Sequence, residues 1–325
     1  MGTEPPMLFA LQGSQDYARR VAQRLGCPLS PHDEHEFEDG EHKCRPLESV
    51  NGRQVVVFHG LYGDNRHSVH DKLCRLLFFC AALKDAGACQ VQVVAPYLCY
   101  GRKERRTHPQ DPVISRYVAT LCEACGVDRL MSLEVHDLAA FGNAFRIPTL
   151  HLSCAELFAA HFAPLLLGDA EVVAVSPDAG GAKRAELFRQ ALQQRIGRPV
   201  GSALMEKHRS NDVVTGALLG GDVQGKTAII VDDLISTGGT LLRAGQACRA
   251  NGASHVFAAA AHGLFTEGSG LLDSPQFEHI VVCDSVPAFR LPAELVARRL
   301  HILDTTAAVA ALLADGYGLL LPTPS

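Results

Sequence analysis

Residues 227–242 read TAIIVDDLISTGGTLL. Five apolar or β-branched residues run into two adjacent acids, Asp232 and Asp233, then into Ser236, Thr237, Gly238, Gly239 and Thr240, then into a helix-like pattern. Gly238 and Gly239 permit backbone geometry closed to other residues, so several N–H groups can converge on one anion. A helix starting near Thr240 adds its positive end, and the hydroxyls of Thr237 and Thr240 can donate. These parts make a pocket for a phosphate monoester. Two carboxylates beside it would repel a bare anion, but they suit vicinal hydroxyls, which are hydrogen-bond donors. A ligand with a phosphate at one end and a diol nearby is a sugar phosphate, most simply ribose 5-phosphate. The plain alternative is a tight strand-to-helix turn with acidic caps. The complete order, strand, acidic pair and then TGGT, favours the ligand.

The elements that must hold this segment are legible as short apolar runs. Strands are predicted at 54–58, 91–97, 129–135, 171–176, 201–205, 227–231, 255–261, 279–284 and 301–305. Helix-length amphipathic segments lie between several of them, such as HDKLCRLLFFCAALKDAG and ISRYVATLCEACG. Buried runs alternating with helices predict an α/β fold with mainly parallel sheets flanked by helices. The strands are followed in turn by HG, LCYGRKER, HD, PDAGG, EKHR, DDLISTGG and HG. Ligands of parallel sheets bind outside the carboxyl ends of strands, so a site between or across the two halves is expected. The length of 325 residues predicts two domains. Their junction is expected near residues 148–155, giving 1–151 and 152–325, with the last segment free to pack on the first domain.

Composition narrows the partners. Hydrophobic residues make up 47% and charged residues 20%, enough to build real cores. A formal net charge of −5 gives no reason to expect nucleic acid or a membrane surface. No apolar run approaches the roughly 18–20 residues needed to span a bilayer, and MGTEPPMLFALQGSQDYARR lacks the basic start of a signal peptide. Nine of the 11 cysteines lie at or before Cys154, mostly inside apolar segments. The one C-x-x-C, Cys122 to Cys125, has no second pair to complete a zinc site. Buried thiols in a reducing cytoplasm are therefore expected. The run PHDEHEFEDGEHK carries three His among acids, which could suggest metal, but it reads as a solvated loop.

The DDLISTGGT segment resembles the phosphoribosyl-binding loop shared by phosphoribosyltransferases and ribose-phosphate pyrophosphokinases. Other segments resemble the pyrophosphokinase family in its own order: FEDGEHKCRPLESVNGRQVVV (37–57), APYLCYGRKER (95–105), SLEVHD (132–137), VSPDAGGAKRAE (175–186) and MEKHRSNDVV (205–214). The resemblance spans roughly residues 33–310 and implies two phosphoribosyltransferase-like domains. It further implies that Asp39, Gly40 and Glu41 reach ATP across a subunit boundary and that Arg102 and Lys103 also contact ATP. His136 and Asp178 would hold Mg2+, directly or through water. Lys207 and Arg209 would meet the transferring diphosphoryl group. Arg209, Asp232, Asp233 and the run Ser236, Thr237, Gly238, Gly239 and Thr240 would bind ribose 5-phosphate. MEKHRSNDVV, polar and without clear periodicity, predicts a mobile arm.

The implied reaction moves the β,γ-diphosphoryl group of ATP to the anomeric hydroxyl of ribose 5-phosphate, giving phosphoribosyl diphosphate and AMP, in a cytoplasmic homo-oligomer that is at least a dimer and by resemblance a hexamer. The chain departs from the family at Lys103, where Gln is common, at Ser236 (Asp), at His208 (Arg), and at Val135 and Asp137 around His136 (Leu and Ala). Two rivals stay open at this point: a phosphoribosyltransferase acting on a nucleobase, and a non-catalytic regulatory homologue of the synthase.

Overall fold

A computed structural model describes residues 4–166, 168, 170–210, 213–268 and 270–319; along 206–210 and 213–218 it describes the backbone alone. In chain order the elements are β1 (Met7–Ala10), α1 (Gln15–Leu25), β2 (His32–Glu36), β3 (His42–Pro46), β4 (Gln54–Phe58), α2 (Val69–Asp85), β5 (Gln90–Ala95), α3 (Ile114–Ala124), β6 (Arg129–Leu133), α4 (Leu138–Ala144) and β7 (Thr149–Leu152). There follow α5 (Ala155–Phe162), β8 (Val172–Ser176), α6 (Ala182–Ile196), β9 (Val200–Ser210), β10 (Val213–Gly220), β11 (Thr227–Ile235), α7 (Gly239–Ala250) and β12 (His255–Gly263). The chain ends through β13 (Ile280–Cys283), α8 (Ala293–Arg299), β14 (Leu300–Leu303) and α9 (Thr306–Tyr317). They divide into two compact units, Met1–Leu152 with Thr305–Ser325, and Ser153–Asp304.

Unit 1 is built on a five-stranded sheet in the order β1-β4-β5-β6-β7, with every pairing parallel. Side chains alternate between two apolar layers, as a strand's period of two requires. Met7, Phe9, Leu11, Val55 and Val57 join the layer containing α2 and α3. Leu8, Ala10, Val56 and Phe58 join the layer containing α1 and α9. The last helix is thus the cover of a sheet face laid down by the first strands. It is tied by polar contacts as well: Tyr317 Oη donates to Gln92 Oε1 at 2.9 Å, Arg24 Nε donates to Thr306 Oγ1 at 2.9 Å, and the hydroxyls of Tyr17 and Thr305 lie 2.8 Å apart.

Unit 2 carries a seven-stranded sheet in the order β10-β9-β8-β11-β12-β13-β14. Every pairing is parallel except β9 with β10. Its strands alternate in the same way: Val173, Val175, Ala228 and Ile230 face α7 and α8, while Val172, Ala174, Ile229 and Val231 face α5 and α6.

The nine expected strands all form, within a few residues of their expected ends. Two expectations change. The run around residues 31–43 is an ordered hairpin rather than a solvated loop. Strands β2 and β3 pair antiparallel with Glu34 opposite Cys44, and the connection turns at Asp39 and Gly40, where Gly40 takes a φ of +89°. An Asp-Gly pair between alternating residues is a strong hairpin signal. Where it is described, the stretch after residue 205 is not irregular either; residues 211 and 212 of the expected arm lie outside the described residues. Strand β9 runs on past its last partner on β8, Leu204 opposite Ser176, and folds back on β10 as a two-stranded ribbon. The β-branched residues Val213, Val214 and Thr215 suit that ribbon.

Burial of Leu313, 1% exposed on α9, makes the closing helix testable. Leu313→Ala should cost about 2–5 kcal/mol and lower the midpoint of urea denaturation accordingly. An unchanged midpoint would mean that α9 does not seal this face.

Candidate active site

The candidate site in unit 2 starts where β11 leaves the core. Strand β11 is longer than its apolar run and includes both acids: Asp233 is buried and Asp232 half-buried. The backbone N–H of Asp233 donates to Asp232 Oδ1 at 2.8 Å. Arg184, buried in α6, places Nη1 3.8 Å from Asp232 Oδ1 and 3.9 Å from Asp233 Oδ1. One cation thus serves two carboxylates. It does not fully relieve them. Burial, and then the negative charge of Asp233, push the Asp232 carboxyl up to about 7, with Arg184 pulling the other way. The conflict of two acids in one buried strand end is the feature that a hydroxyl-donating ligand would ease.

Past the acids the chain turns into α7, which begins at Gly239, one residue earlier than expected. Gly238 occupies the cap position with φ +85°, and a Cβ built there would stand 2.8 Å from Leu271 Cβ. Both conformation and space therefore demand glycine. The loop is braced from β12's far end: Thr266 N–H donates to the Ser236 carbonyl at 3.0 Å, and the two hydroxyls lie 3.1 Å apart. Thr237, through Oγ1, accepts from Gly239 N–H at 3.4 Å. The result is a helix N-terminus of twelve residues preceded by hydroxyls, which suits a phosphate. Arg243 adds a charge not foreseen from the motif; its Nη2 donates to Thr240 Oγ1 at 3.4 Å. The signal was present, because residues three apart on a helix share a side.

Asp178 lies in the same unit. It caps a single 3-10 turn, Ala179–Gly181, accepting from Gly181 N–H at 3.2 Å through Oδ1, while Ser176 Oγ donates to the Asp178 carbonyl at 2.7 Å. This turn packs against β11, and α6 follows it with Arg184. A Cβ at Gly181 would come within 2.9 Å of Ser176 Oγ. Lys207 and Arg209 fall on the ribbon, opposite Ala217 and Val214; their side chains lie outside the described residues.

The remaining expected residues belong to unit 1. Asp39, Gly40 and Glu41 form the exposed turn between β2 and β3, where Glu41 N–H donates to Asp39 Oδ1 at 3.1 Å. Arg102 and Lys103 are exposed in the turn after β5, which is closed by Lys103 N–H on the Tyr100 carbonyl at 3.0 Å, with Tyr100 at φ +59°. His136 is half-buried just past β6. It immediately precedes Asp137, whose side chain caps α4 by accepting from Ala140 N–H at 2.7 Å. So the sugar-phosphate set is assembled on one unit, while His136 and Asp178 stand on different units.

Residues 6–126 match the family described as the N-terminal domain of ribose phosphate pyrophosphokinase, and residues 211–315 match the phosphoribosyl synthetase-associated domain. Ribose-phosphate pyrophosphokinase 1 of Streptococcus pneumoniae is 33% identical over 312 residues, covering 95% of this chain and 91% of that protein. The enzyme of the same name from Streptococcus mutans is 34% identical over 304 residues, covering 92% and 90%. The solved structure of phosphoribosylpyrophosphate synthetase from Mycobacterium smegmatis superposes with a TM-score of 0.81 at 27% identity, covering 97% of this chain and 99% of that one.

The acidic pair yields a pH signature. A carboxyl raised in the fold holds its proton where the unfolded chain has already lost it, so stability drains away as pH climbs from the ordinary carboxylate range to about 7. Asp232→Asn cannot lose that proton. The variant's melting temperature relative to the parent should therefore be higher at pH 8 than at pH 5. A difference independent of pH would show that Asp232 ionises normally.

Proposed function

The chain belongs to the ribose-phosphate pyrophosphokinase family, and on that premise we propose that it transfers the β,γ-diphosphoryl group of ATP to the anomeric hydroxyl of ribose 5-phosphate, releasing AMP and phosphoribosyl diphosphate. The observation that carries this reading is the strand end of β11: one buried and one half-buried acid sharing Arg184, followed by the glycine turn at the head of α7. Acids for hydroxyls and a helix terminus for phosphate describe the sugar phosphate from both ends.

In this reading Asp232 and Asp233 accept from the ribose hydroxyls. Each such charge-assisted bond is worth on the order of 1.5–3 kcal/mol. Ser236, Thr237, Gly238, Gly239 and Thr240 hold the 5-phosphate, with Arg243 lending charge. Arg102, Lys103 and the turn Asp39, Gly40 and Glu41 serve ATP. That turn acts on a neighbouring copy, so the working form is at least a dimer, and the family likeness suggests a hexamer. Mg2+, a hard cation that keeps most of its waters, suits the His136 imidazole and the Asp178 carboxylate, each taken on its own unit. When bound, it neutralises charge on the phosphoryl oxygens. Asp178 is held for such a role by its bond to Gly181 N–H. The nucleophile is the substrate's own hydroxyl, so no Ser or Cys nucleophile is needed, and the chain's task is alignment and charge stabilisation. Lys207 and Arg209 meet the moving diphosphoryl group. A cytoplasmic setting fits this chemistry, and among the described residues no helix is long and apolar enough to cross a membrane.

Incubation of the purified protein with ribose 5-phosphate, ATP, Mg2+ and phosphate tests the proposal directly. AMP and phosphoribosyl diphosphate should accumulate in equal amounts. Turnover only with a nucleobase and phosphoribosyl diphosphate would make it a phosphoribosyltransferase, and no turnover under either condition would leave a regulatory homologue. Within the active protein, Lys207→Ala should slow turnover roughly 10²–10³-fold while both KM values stay within a few-fold. Near-normal turnover in that variant would remove Lys207 from the transition state.

A further inference from the structure

The hairpin under the proposed ATP turn holds a group of side chains that the reaction does not use. Strands place every second residue on one face. On β2 that puts His32 and Glu34 together, and on β3 His42 and Cys44, while Asp33, His35, Lys43 and Arg45 point to solvent. The inward face rests on the core layer of α2: Cys44 packs against it, and the His32 ring lies 5.7 Å from the ring of Phe79. His32, Glu34 and Cys44 each offer a ligand atom within 4.8 Å of the others. His42 Nε2 stands 3.5 Å from Glu34 Oε2.

Two features of this cluster point to a missing partner. The His42 side chain is only 6% exposed, yet its Nδ1 has no hydrogen-bond partner, and its Nε2 and Glu34 Oε2 have none beyond their 3.5 Å approach to each other. Buried polar atoms left unpaired in this way are costly and uncommon. The other oxygen of the same carboxylate is anchored: Glu34 Oε1 accepts from Gln12 N–H at 2.8 Å and lies 3.0 Å from His32 Nε2. One oxygen fixed from behind and the other turned toward a bare imidazole is how an outer contact orients a metal ligand.

We infer that the β2–β3 hairpin is a binding site for a zinc-class divalent cation, with His32, Glu34 and Cys44 as its converging ligands and His42 drawn in from beside Glu34 as the fourth. The donor set selects the ion. Two imidazoles, one thiolate and one carboxylate suit a tetrahedral borderline-soft cation. Mg2+ demands an octahedron of oxygens and is poorly served here. Charge also closes: a dication with one thiolate, one carboxylate and two neutral rings is a neutral unit, the form that burial penalises least. On binding, the cation displaces the Cys44 thiol proton, so the sulfur–hydrogen bond is exchanged for a sulfur–metal bond and one proton leaves to solvent.

The test uses the full chain, stripped with a chelator and titrated with Co2+ in the presence of excess Mg2+ to occupy hard-oxygen sites. One equivalent of cobalt per chain should produce a thiolate-to-metal charge-transfer band with the strong visible bands of a tetrahedral site, and Zn2+ should displace both. Cys44→Ser should abolish the charge-transfer band, and His42→Ala should weaken cobalt binding at least tenfold, in line with the loss expected even for outer contacts of about 10–100-fold. Glu34→Gln, which preserves side-chain volume, should weaken binding likewise and supplies the reading if Cys44→Ser does not fold. No charge-transfer band at stoichiometric cobalt, or binding undiminished in Cys44→Ser or Glu34→Gln, would overturn the site.

Discussion

A parallel strand covered by helices on both faces has no wet side, and this constraint governs where the chain can keep its chemistry. In both units the parallel strands are largely apolar, with alternate residues feeding two separate helix layers. Gln92, a polar residue buried on β5, is met there by the Tyr317 hydroxyl. The carboxyl ends are the first places where acids, histidines and glycines meet solvent, and there the proposed substrate residues collect. Fold and site are not separate achievements of the sequence: saturating the sheets with Val, Ile and Ala forces reactive residues to the rims.

The end of β11 is where that rule is strained. Its last residues stay in the strand after the apolar run has ended, so two carboxylates enter a region of low polarizability together. Arg184 stands at ion-pair distance, 3.8 and 3.9 Å, beyond hydrogen-bond range, and Asp232 retains a raised proton affinity. A fold that tolerates such repulsion stores it at the place where hydroxyl donors are proposed to arrive. A rigid glycine turn stands beside it, held by both left-handed geometry and the nearby Leu271. The sugar end of the pocket is electrostatically tense and the phosphate end conformationally fixed, so the two ends would contribute to binding by different physics.

Much of this was legible in the chain. Nine strands read directly from apolar runs because a doubly covered strand has little else in it, and the glycine turn read from residue types alone. What escaped depended on partners far away in sequence. The approach of Arg184 to Asp232 and Asp233 joins residues 48 and 49 positions apart, which no local pattern encodes. Strands β1 and β7 have only four residues each, too short for periodicity to register. The hairpin of β2 and β3 hid for a different reason. HDEHE and HKCRP lack the β-branched and apolar residues by which strands are recognised, so their alternation is of half-buried polar against exposed polar. The Asp39–Gly40 turn was the signal that could have found them.

The return of α9 to the first unit has a consequence for how the polypeptide is made. Unit 2 is continuous in sequence, Ser153–Asp304, whereas unit 1 needs Thr305 onward to cover one sheet face. Domains fold as units while synthesis proceeds, commonly the N-terminal one first. Here that order cannot hold to completion. The first-made half must wait on the ribosome with Leu8, Val56 and Phe58 lacking part of their cover, while the second half is translated and can close on itself. Vectorial synthesis thus makes the nascent first sheet the natural client of chaperones, and early termination of translation anywhere before α9 would release a chain with an exposed apolar face.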